Sequence, residues 1–446
     1  MAAPFKAYDI RGVYGQDLTD GLAYDLGRVF ANYLSGKTFV VGRDMRPSSE
    51  VLARHLIRGL TEQGATVIDI GLASTDMFYF AVIHTNADGG VIITASHNPA
   101  KYNGFKLVRR KAIPIGIDSG LAAIEKTVRG GRFPPPAARP GRVEKAAMLD
   151  DFIAFMHGFV KPEELAPLTV VIDCGNGMGG MVVPQLFRDS PVKIIPLYFE
   201  LDGTFPHHEA NPLIEANRRD LVRTVLQKKA DLGIGLDGDA DRAFFVDDQG
   251  EFCSADFILG LLAQPILKAH PGAKIAYDVR CSNYVRDTAK KYGGTAHMGK
   301  VGHAYAKIFM REIGAEFGGE VSGHYYYKYQ DAYFDSGNLT ALLLLKVLSE
   351  KKEKLSQALA ETRKYHISGE INSTVQDQDA AVQRVLDRFK DRGRVATIDG
   401  ISVIGPTWWL NVRKSNTEPL VRLNCEADTR ENMEKLRDEA LALIRA

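Results

Sequence analysis

The sequence predicts a protein of the α/β class that is divided into several domains. Apolar, β-branched runs alternate with longer stretches of helical periodicity, as in the strand-like segment 39–42, the helix-like segment 49–64 and the strand-like segment 66–70. This alternation is typical of sheets covered by helices. The chain has 446 residues, and because domains average about 150 residues, we expect roughly three of them.

An apolar strand that ends in an aspartate occurs three times at wide spacing. The strand ends lie at 40–44, 170–174 and 275–279, and each is followed by Ser-, Gly- or Asn-rich residues that lead into a helical pattern. The spacing is too wide for a solenoid repeat but suits three domains built on one plan. Because a strand followed by Asp and a turn is common in α/β proteins, coincidence is the alternative.

Local composition indicates a linker and a fourth domain. The stretch 130–141 is rich in Gly and Pro, with three consecutive prolines at 134–136, so it cannot be a regular helix or a central strand. Charged residues crowd a predicted helix over 348–364, and the tail from residue 367 onward is typical of a smaller α+β unit. The predicted domains are 1–143, 144–250, 251–364 and 365–446.

The overall composition is that of an ordinary globular protein and favours a small ligand. Hydrophobic residues make up 45% of the chain and charged residues 25%. Lys plus Arg number 56 against 55 for Asp plus Glu, so no net field attracts nucleic acid, and anions must bind at local clusters. We expect small-molecule ligands, no nucleic-acid partner, and a monomer or homodimer.

Cysteine spacing and hydropathy indicate neither a zinc site nor a membrane segment. The cysteines are far apart and form no CxxC pair, so we expect reduced thiols. They are Cys174, Cys253, Cys281 and Cys425. The first 12 residues lack the apolar core of a signal peptide, and no stretch of about 18 apolar residues occurs. We therefore expect a cytoplasmic protein without a membrane partner.

The first candidate site is the segment 94–99 (TASHNP), where an apolar strand stops abruptly in small polar residues. Such a turn exposes the hydroxyl of Ser96. Pro99 lacks a backbone donor and biases Asn98 away from helix, so the segment is held as a loop. His97 could polarise or orient a group that Ser96 carries. Taken alone, a capped loop explains the pattern at least as well.

The second candidate site has three carboxylates at alternate positions, Asp237, Asp239 and Asp241, in the segment 236–242 (LDGDADR). They can converge only around a compensating charge, and oxygen ligands on a tight Gly-containing loop suit Mg²⁺ if a phosphate completes the coordination. An EF-hand is not favoured, because its twelfth position is Asp248 rather than Glu and strands flank the loop. A solvated acidic turn is the alternative.

Two further polar loops carry weaker signals. In the segment 318–324 (GGEVSGH), glycines allow close backbone approach, and Glu320 and Ser322 point the same way if the chain is extended, a pairing that suits sugar hydroxyls. The segment 413–419 (RKSNTEP) combines two cations, two hydroxyls and an amide, which are donors for a phosphate dianion. The alternatives are a polar turn and a solvated basic turn.

Together and in this order, the four loops resemble those of the α-D-phosphohexomutase superfamily, and the resemblance extends from the segment 8–12 (YDIRG) to Pro419. It implies three similar mixed-sheet α/β domains plus a smaller C-terminal α+β domain, like the TATA-binding protein, around a central cleft. In chain order, the domains would carry the phosphoserine, metal, sugar and phosphate loops. The resemblance also implies Mg²⁺ as cofactor and a hexose 1,6-bisphosphate as activator and intermediate.

The resemblance further implies roles for individual residues. Ser96 would be the phosphoserine and Lys106, in the segment 102–106 (YNGFK), a general acid/base. The implied catalytic residues are Ser96, His97, Lys106 and Arg242, and the implied metal ligands are Ser96 through its phosphate, Asp237, Asp239 and Asp241. The implied substrate-binding residues are Arg11, Lys300, His303, Glu320, Ser322, His324, Arg413, Ser415, Asn416 and Thr417. Ala240 stands where many members have glycine.

The sugar and phosphate loops resemble the phosphomannomutase/phosphoglucomutase branch. Between Glu320 and Ser322, members of this branch often have Met, whereas phosphoglucosamine mutases typically have Gln. The glucosamine branch usually has Ser-Gly-Thr where this chain has the segment 415–417 (SNT). Interconversion of mannose 6-phosphate and mannose 1-phosphate, and of the glucose phosphates, is implied. A phosphoglucosamine mutase, a metal-dependent sugar phosphatase and a non-catalytic sugar-phosphate sensor are the alternatives.

Overall fold

The structure is a computed structural model that describes residues 4–415 and 420–446. The chain is divided into two compact units. The first unit contains residues 1–253 and 322–356, and the second contains residues 254–321 and 357–446.

The first unit begins with a seven-stranded mixed sheet. Its strands are β1 (Ile10–Val13), β2 (Thr38–Arg43), β3 (Thr66–Leu72), β4 (Gly89–Ile93), β5 (Tyr102–Arg109), β6 (Ile113–Pro114) and β7 (Val143–Lys145). Its helices are α1 (Asp20–Leu34), α2 (Ser49–Glu62), α3 (Thr75–His84) and α4 (Leu121–Gly130). The strand order is β1-β5-β4-β2-β3-β7, with β6 beside β5. The central strands β4, β2 and β3 run parallel, and β5 returns antiparallel to β4.

Burial explains why the central strands have continuous apolar runs. All five residues of β4 are buried, as are the four middle residues of β2. Strands covered on both faces have no solvent side, so they lack the alternation of a half-exposed sheet. Because β4 ends at Ile93, the polar segment 94–99 begins directly at the carboxyl end of a central strand.

The second sheet of the first unit has five strands in the order β12-β11-β10-β8-β9. Its strands are β8 (Thr169–Asp173), β9 (Lys193–Leu197), β10 (Leu232–Leu236), β11 (Ala243–Asp247) and β12 (Phe252–Cys253). Its helices are α5 (Leu149–His157), α6 (Gly179–Leu186) and α7 (Arg219–Lys228). Strands β8, β9 and β10 are parallel, whereas β10 and β11 form an antiparallel hairpin. The segment that joins β10 to β11 carries the three predicted metal ligands.

Residues 254–321 form an α/β part of the second unit. Its helices are α8 (Ala255–Ala269), α9 (Asn283–Lys291) and α10 (His303–Ile313), and its strands are β13 (Lys274–Asp278), β14 (Thr295–Gly299) and β15 (Phe317–Gly319). Both β14 and β15 pair with β13 in parallel.

The chain returns to the first unit at Ser322. There β16 (Tyr325–Tyr329) and β17 (Ala332–Asp335) form an antiparallel hairpin, followed by α11 (Gly337–Lys351). The short helix α12 (Leu355–Ala358) comes next. The predicted single helix over 348–364 is wrong. Helix α11 ends at Lys351 because Lys352 adopts a left-handed conformation, with φ of 54°.

The C-terminal part of the second unit is a six-stranded antiparallel sheet with two helices. Its strands are β18 (His366–Ile367), β19 (Ile371–Thr374), β20 (Arg394–Ala396), β21 (Ile401–Ile404), β22 (Trp408–Lys414) and β23 (Leu420–Ala427). Its helices are α13 (Gln378–Phe389) and α14 (Arg430–Arg445). The apolar faces of both helices and of the central strands share one core.

These elements confirm the predicted fold class of α/β domains followed by a smaller C-terminal α+β domain. The predicted strand ends at 40–44, 170–174 and 275–279 coincide with the ends of β2, β8 and β13. Residues 131–142 form neither helix nor strand, as their Gly and Pro content predicts. Among the helices that the structure describes, none has the length and hydropathy needed to cross a bilayer.

Helices α1 and α2 contact each other backbone to backbone at two glycines. A Cβ on Gly59 would lie 2.1 Å from the carbonyl oxygen of Tyr24, and one on Gly27 would lie 2.3 Å from that of Leu56. Both distances are far below van der Waals contact, and the obstructing atoms belong to backbone that cannot rotate away. The close approach of α1 to α2 therefore requires glycine at both positions.

We predict that Gly59→Ala destabilises the first unit. Overpacking against backbone costs about 1–3 kcal/mol, which exceeds the gain of about 1 kcal/mol that Ala has over Gly in a helix. Gly21→Ala, also in helix α1, is the matched control, because only Thr19 Oγ1, at 3.8 Å, would lie within 4 Å of its Cβ. The midpoint of urea unfolding, followed by circular dichroism, should fall for Gly59→Ala and stay or rise for Gly21→Ala. Equal midpoints for Gly59→Ala and the wild type would contradict the prediction.

Candidate active site

Ser96 lies in the loop after the carboxyl end of the central strand β4, three residues beyond Ile93. The expectation of an exposed hydroxyl is wrong, because Ser96 is almost fully buried. Its backbone φ is 49°, the left-handed region that L-residues rarely adopt. The Ser96 hydroxyl donates to Asp237 Oδ2 at 2.7 Å and lies 3.2 Å from Arg242 Nη2. The serine loop and the aspartate loop, 141 positions apart in sequence, therefore meet at this hydroxyl.

The three aspartates at the tip of the β10–β11 hairpin are completely buried. One carboxylate oxygen from each of Asp237, Asp239 and Asp241 lies within 4.8 Å of the others. Arg242 Nε donates to Asp237 Oδ2 at 2.8 Å, and the backbone N–H of Arg242 donates to the other oxygen of the same carboxylate at 3.2 Å. The hairpin thus brings together the ligands that the sequence predicts.

Lys106, on strand β5, is buried against the same aspartates. Its Nζ donates to Asp239 Oδ2 at 2.7 Å and to Asp241 Oδ2 at 2.5 Å. Thr75 Oγ1 also donates to Asp239 Oδ2, at 2.6 Å, and Thr94 Oγ1 does so at 3.3 Å. One oxygen of Asp239 is therefore surrounded by donors.

Burial and neighbouring charges move the pKa values of these groups in opposite directions. Burial raises the pKa of Asp237 to about 6, although Arg242 acts against it. Burial also acts to raise the pKa values of Asp239 and Asp241, but Lys106 outweighs it and brings both below their ordinary range. Burial acts to lower the pKa of Lys106, and the two carboxylates reverse that effect and raise it. Lys106 is therefore an ammonium in this environment.

The aspartate cluster fits a hard divalent cation. Oδ1 of Asp239 and Oδ1 of Asp241 are buried, and neither has a hydrogen-bond partner among residues 4–415 and 420–446. A buried carboxylate oxygen without a donor is costly, and a bound cation removes that cost. The candidate ligand atoms of the three aspartates are all oxygens, the type that such cations prefer. The residues present therefore suit a divalent metal.

His97 and Arg11 lie beside the serine. His97 Nδ1 is 3.1 Å from the Ser96 hydroxyl. Burial lowers the pKa of His97 well below its ordinary value, and the cations Arg242 and Arg11 add to the effect, so its imidazole is neutral at neutral pH. Arg11 donates to Asn98 Oδ1 at 3.0 Å and to Asp9 Oδ2 at 2.6 Å. Both predicted residues therefore border the serine loop.

His324 and Ser322, predicted to bind the sugar, lie near the aspartates in the first unit. His324 Nε2 is 3.6 Å from Asp241 Oδ1 and 3.9 Å from Asp335 Oδ2. The Ser322 hydroxyl is 3.1 Å from His324 Nδ1. These three groups, Asp241, His324 and Asp335, also have the spacing of metal ligands. His324, which was predicted to bind the sugar, therefore lies beside the metal loop.

The second unit contains the other predicted substrate-binding residues that the structure describes. Glu320 accepts a hydrogen bond from the backbone N–H of Gly302, so it lies beside the segment 300–303. His303 begins helix α10 and is nearly buried. The Lys300 Nζ stands 5.5 Å from the centre of the Tyr305 ring. Glu320, Lys300 and His303 are therefore brought together.

Arg413, at the end of strand β22, forms an ion pair with Glu370 in the same unit. Glu370 also lies 3.7 Å from Arg280 and 3.6 Å from Arg422. Burial acts to raise the pKa of Glu370, but the three arginines outweigh it and lower the value. Of the other predicted phosphate-binding residues, Ser415 is nearly buried, and Asn416 and Thr417 lie outside the described residues.

Sequence reasoning missed several residues that shape the site. Thr75 begins helix α3 and has no local motif, yet both its hydroxyl and its backbone N–H bond to Asp239. Thr94 lies in the serine segment 94–99, and its neighbours in sequence do not indicate its hydrogen bond to Asp239. Arg280 follows the strand end at 275–279, and its side chain binds Asp278, the aspartate of that strand end. The repeated pattern of an apolar strand that ends in aspartate is the sequence feature that could have indicated Arg280.

Asp76, also at the start of helix α3, joins that helix to the start of α11. Its carboxylate is fully buried and accepts four hydrogen bonds. The donors are Ser336 Oγ at 2.5 Å, Asn338 Nδ2 at 2.9 Å, Ser74 Oγ at 2.5 Å and Met77 N at 2.9 Å. Burial raises the pKa of Asp76 to about 6 despite these donors.

Family models match four successive parts of the chain. They are described as phosphoglucomutase/phosphomannomutase alpha/beta/alpha domains I, II and III and the phosphoglucomutase/phosphomannomutase C-terminal domain. They match residues 2–134, 150–250, 254–365 and 370–443, respectively. The resemblance inferred from the four loops is confirmed, whereas the domain bounds predicted from the sequence stay predictions.

Individual proteins are similar over nearly the whole chain. A phosphomannomutase of Salmonella typhimurium (strain LT2) is 40% identical over 432 residues, which cover 95% of this chain and 94% of that protein. A protein of Xanthomonas campestris pv. campestris (strain B100) named phosphohexose mutases is 41% identical over 427 residues, with coverage of 95% and 94%. The crystal structure of a phosphoglucomutase/phosphomannomutase family protein from Burkholderia thailandensis superposes with a TM-score of 0.90 at 31% identity, covering 99% of this chain and 96% of that one.

We predict that Gly238→Ala weakens divalent-cation binding. A Cβ on Gly238 would lie 2.5 Å from the carbonyl oxygen of Ser96, so the aspartate loop would have to move away from the serine loop. Displaced ligands typically lose about 10–100-fold in metal affinity. Titration calorimetry with Mg²⁺ or Mn²⁺ measures the loss, and Gly130→Ala, whose Cβ would meet nothing within 4 Å, is the control. Unchanged affinity in Gly238→Ala would refute the expected displacement.

We predict that the stabilising contribution of Asp76 falls as pH rises from 4 to 6. The folded-state pKa of about 6 lies above the ordinary value of 3.8, so the contribution is complete below pH 4 and is lost as pH rises through 6. The shift corresponds to at most about 3 kcal/mol. Unfolding midpoints of the wild type and Asp76→Asn at pH 4, 5, 6 and 7 should show a shrinking advantage for the wild type. An advantage that grows with pH would contradict this.

Proposed function

We propose that this chain, which belongs to the phosphoglucomutase/phosphomannomutase family, is a magnesium-dependent phosphohexomutase acting on mannose 6-phosphate and mannose 1-phosphate. The glucose phosphates are included as substrates because the two sugars differ only at C2. The observation that carries the proposal is the buried Ser96 hydroxyl, 2.7 Å from Asp237 in a loop of three aspartates. Relatives named phosphomannomutase support the choice of mannose.

Ser96 is the proposed phosphoryl carrier. Arg242 Nη2, 3.2 Å from the hydroxyl, can neutralise charge on a phosphoryl group attached there. The neutral His97, whose Nδ1 is 3.1 Å from the same oxygen, can orient it by hydrogen bonding. Both contacts concern the side-chain oxygen, so they act at the atom that forms and breaks the bond to phosphorus.

Asp237, Asp239 and Asp241 are the proposed protein ligands of Mg²⁺. Mg²⁺ held by these aspartates would neutralise negative charge on the transferred phosphoryl group. Phosphoryl transfer depends mainly on positioning and charge neutralisation, so the aspartate loop and Arg242 together provide most of what the reaction requires. The hydrogen bonds from Lys106, Thr75 and Thr94 hold the carboxylates in place before any substrate binds.

The proposed reaction has two transfers. In the first, the bond between phosphorus and Ser96 Oγ breaks and a bond to the free hydroxyl oxygen of the hexose phosphate forms, while the Lys106 ammonium gives a proton to Ser96 Oγ and takes the hydroxyl proton of the sugar in return. The product is a hexose 1,6-bisphosphate. In the second, the other phosphoryl group of that intermediate moves to Ser96 Oγ, the Lys106 ammonium gives a proton to the departing sugar oxygen and takes the Ser96 hydroxyl proton in return, and the isomeric monophosphate is released. The intermediate must therefore be accepted in two orientations.

The remaining predicted residues are proposed to bind substrate. Glu320 and Ser322 would bind sugar hydroxyls, aided by His324. Arg413, Ser415, Asn416 and Thr417 would hold the phosphate that does not react. Arg11, Lys300 and His303 are proposed as further substrate-binding residues. The cluster of Arg413, Arg280 and Arg422 around Glu370 supports an anion-binding role for this part of the second unit.

The test is ³¹P NMR of the purified protein with Mg²⁺, mannose 1-phosphate and a trace of glucose 1,6-bisphosphate. We expect mannose 6-phosphate to accumulate with the wild type and not with Ser96→Ala, which lacks the oxygen that accepts phosphorus. Ser190→Ala is the matched control, because the Ser190 hydroxyl donates to Phe187 O, outside the serine loop.

Other outcomes would replace the proposal. Inorganic phosphate without isomerised sugar would indicate a phosphatase, and turnover of glucosamine phosphates alone would indicate a phosphoglucosamine mutase. Binding of sugar phosphates without any turnover would indicate a sensor.

A further inference from the structure

Arg46 is a buried cation behind the serine loop, and the proposed chemistry assigns it no role. Its side chain is completely buried, and the N–H groups of its guanidinium point at five oxygens. The acceptors are Asp44 Oδ2 at 3.2 Å, Pro99 O at 2.9 Å, Tyr102 O at 3.1 Å, Ser96 O at 2.9 Å and Asn98 O at 2.6 Å. Four of these five acceptors are backbone carbonyls of the segment 96–102, which includes the proposed phosphoryl carrier.

The serine loop needs such an anchor because its backbone is strained. Ser96 has a φ of 49°, which persists only if surrounding groups hold it. Its carbonyl oxygen accepts from Arg46 Nη2, and it also lies against Gly238, where a Cβ would be 2.5 Å away. The carbonyl is thereby fixed by a guanidinium and by the aspartate loop, and its position determines where the Ser96 hydroxyl points.

Arg46 is itself held on more than one side. Its backbone N–H donates to Asp44 Oδ1 at 3.0 Å, and Ser49 Oγ donates to the same oxygen at 2.5 Å. The Phe205 ring lies 4.9 Å from the Arg46 guanidinium carbon. At Gly203, a Cβ would be 2.4 Å from Arg46 Cα, so the chain there passes directly over the arginine. The guanidinium is therefore rigid and shielded from water.

We propose that Arg46 is a positioning residue for phosphoryl transfer, which fixes the backbone of 96–102 so that Ser96 Oγ stays aligned with Asp237 and Arg242. The inference rests on the proposed function. It also explains why the anchor binds carbonyls. The Ser96 hydroxyl loses its proton and its hydrogen bond to Asp237 when it is phosphorylated, but the bonds from Arg46 to backbone oxygens do not involve the reacting atom. They can hold the loop in both forms of the enzyme.

Lysine cannot replace Arg46 in this role. An ammonium has three N–H donors on one atom, whereas the planar guanidinium presents five in a fixed geometry. At least two of the five acceptors would lose their donor in Arg46→Lys although the charge is kept. Because a misplacement of about 1 Å at a reacting group can cost about 100-fold in rate, a loosened serine loop should lower kcat.

The experiment compares Arg46→Lys with two controls in the full-length protein. Arg28→Lys removes a partly buried guanidinium contact to a backbone carbonyl, that of Pro134, in the same unit and away from the serine loop. Leu56→Ala removes a fully buried side chain from the core and measures the effect of destabilisation alone. The readouts are kcat and KM for mannose 1-phosphate, the thermal midpoint, and amide hydrogen exchange of 96–102 by mass spectrometry.

For Arg46→Lys we expect kcat to fall about 100-fold with little change in KM, and exchange in 96–102 to accelerate about 10-fold or more. Both controls should keep kcat and the slow exchange of that segment, although Leu56→Ala lowers the thermal midpoint. A lowered midpoint in Arg46→Lys with kcat and exchange unchanged would overturn the proposal. So would an equal loss of kcat in Leu56→Ala, because destabilisation alone would then explain the effect.

A milder variant covers the case in which Arg46→Lys does not fold. Phe205→Leu keeps Arg46 and removes the aromatic ring beside it, and exchange in 96–102 should still accelerate. Unchanged exchange in Phe205→Leu would then overturn the proposal. If the wild type shows no mutase activity, the proposed function fails. The exchange measurements would still show separately whether Arg46 holds the loop.

Discussion

Two cations and three carboxylates share one buried site in the first unit, and the geometry of the serine depends on their balance. Lys106 bonds to Asp239 and Asp241, while Arg242 bonds to Asp237 and reaches the Ser96 hydroxyl. Removing either cation would leave a buried carboxylate uncompensated, which proteins rarely tolerate. Even with both present, the carboxylates exceed the cations by one. That excess charge makes a metal ion a natural addition to the site.

The positions of the strands explain how such a cluster can form. Ser96 follows β4, Lys106 lies on the neighbouring β5, and the aspartates follow β10 in a different sheet. These strands are buried, so Ser96 and the aspartates take fixed positions just beyond the ends of β4 and β10, and Lys106 takes one within β5. Packing of the apolar strands brings the loops together, so the buried carboxylates are compensated by the cations. Hydrogen bonds from threonines and backbone groups satisfy further carboxylate oxygens. The strands that form the core of the first unit therefore also position the groups of the candidate site.

The sequence predicted the parts of the site that are local motifs and missed those that are long-range contacts. The aspartates and Ser96 interrupt apolar strands, a pattern visible in any single sequence. Thr75 and Arg46 act through residues that are distant along the chain, and nothing in their neighbouring residues indicates the partner. Ala240 shows a further limit. From the sequence, alanine in place of the glycine that many members have only adds a methyl group, but the φ of Ala240 is 59°, which lies in the left-handed region.

The contacts of Asp239 have a consequence for ion selectivity. The donors Lys106, Thr75 and Thr94 all bind Oδ2, so the carboxylate is held in one orientation, and its Oδ1 has no donor among the residues that the structure describes. The Asp239 carboxylate is already oriented in the folded protein, so no further entropy is lost when it binds an ion. The site is therefore preorganised. A ligand that cannot adjust favours an ion with strict distance requirements over a larger one that tolerates irregular shells. In the proposed magnesium site, the threonines would thus favour Mg²⁺ over Ca²⁺ without contacting either ion.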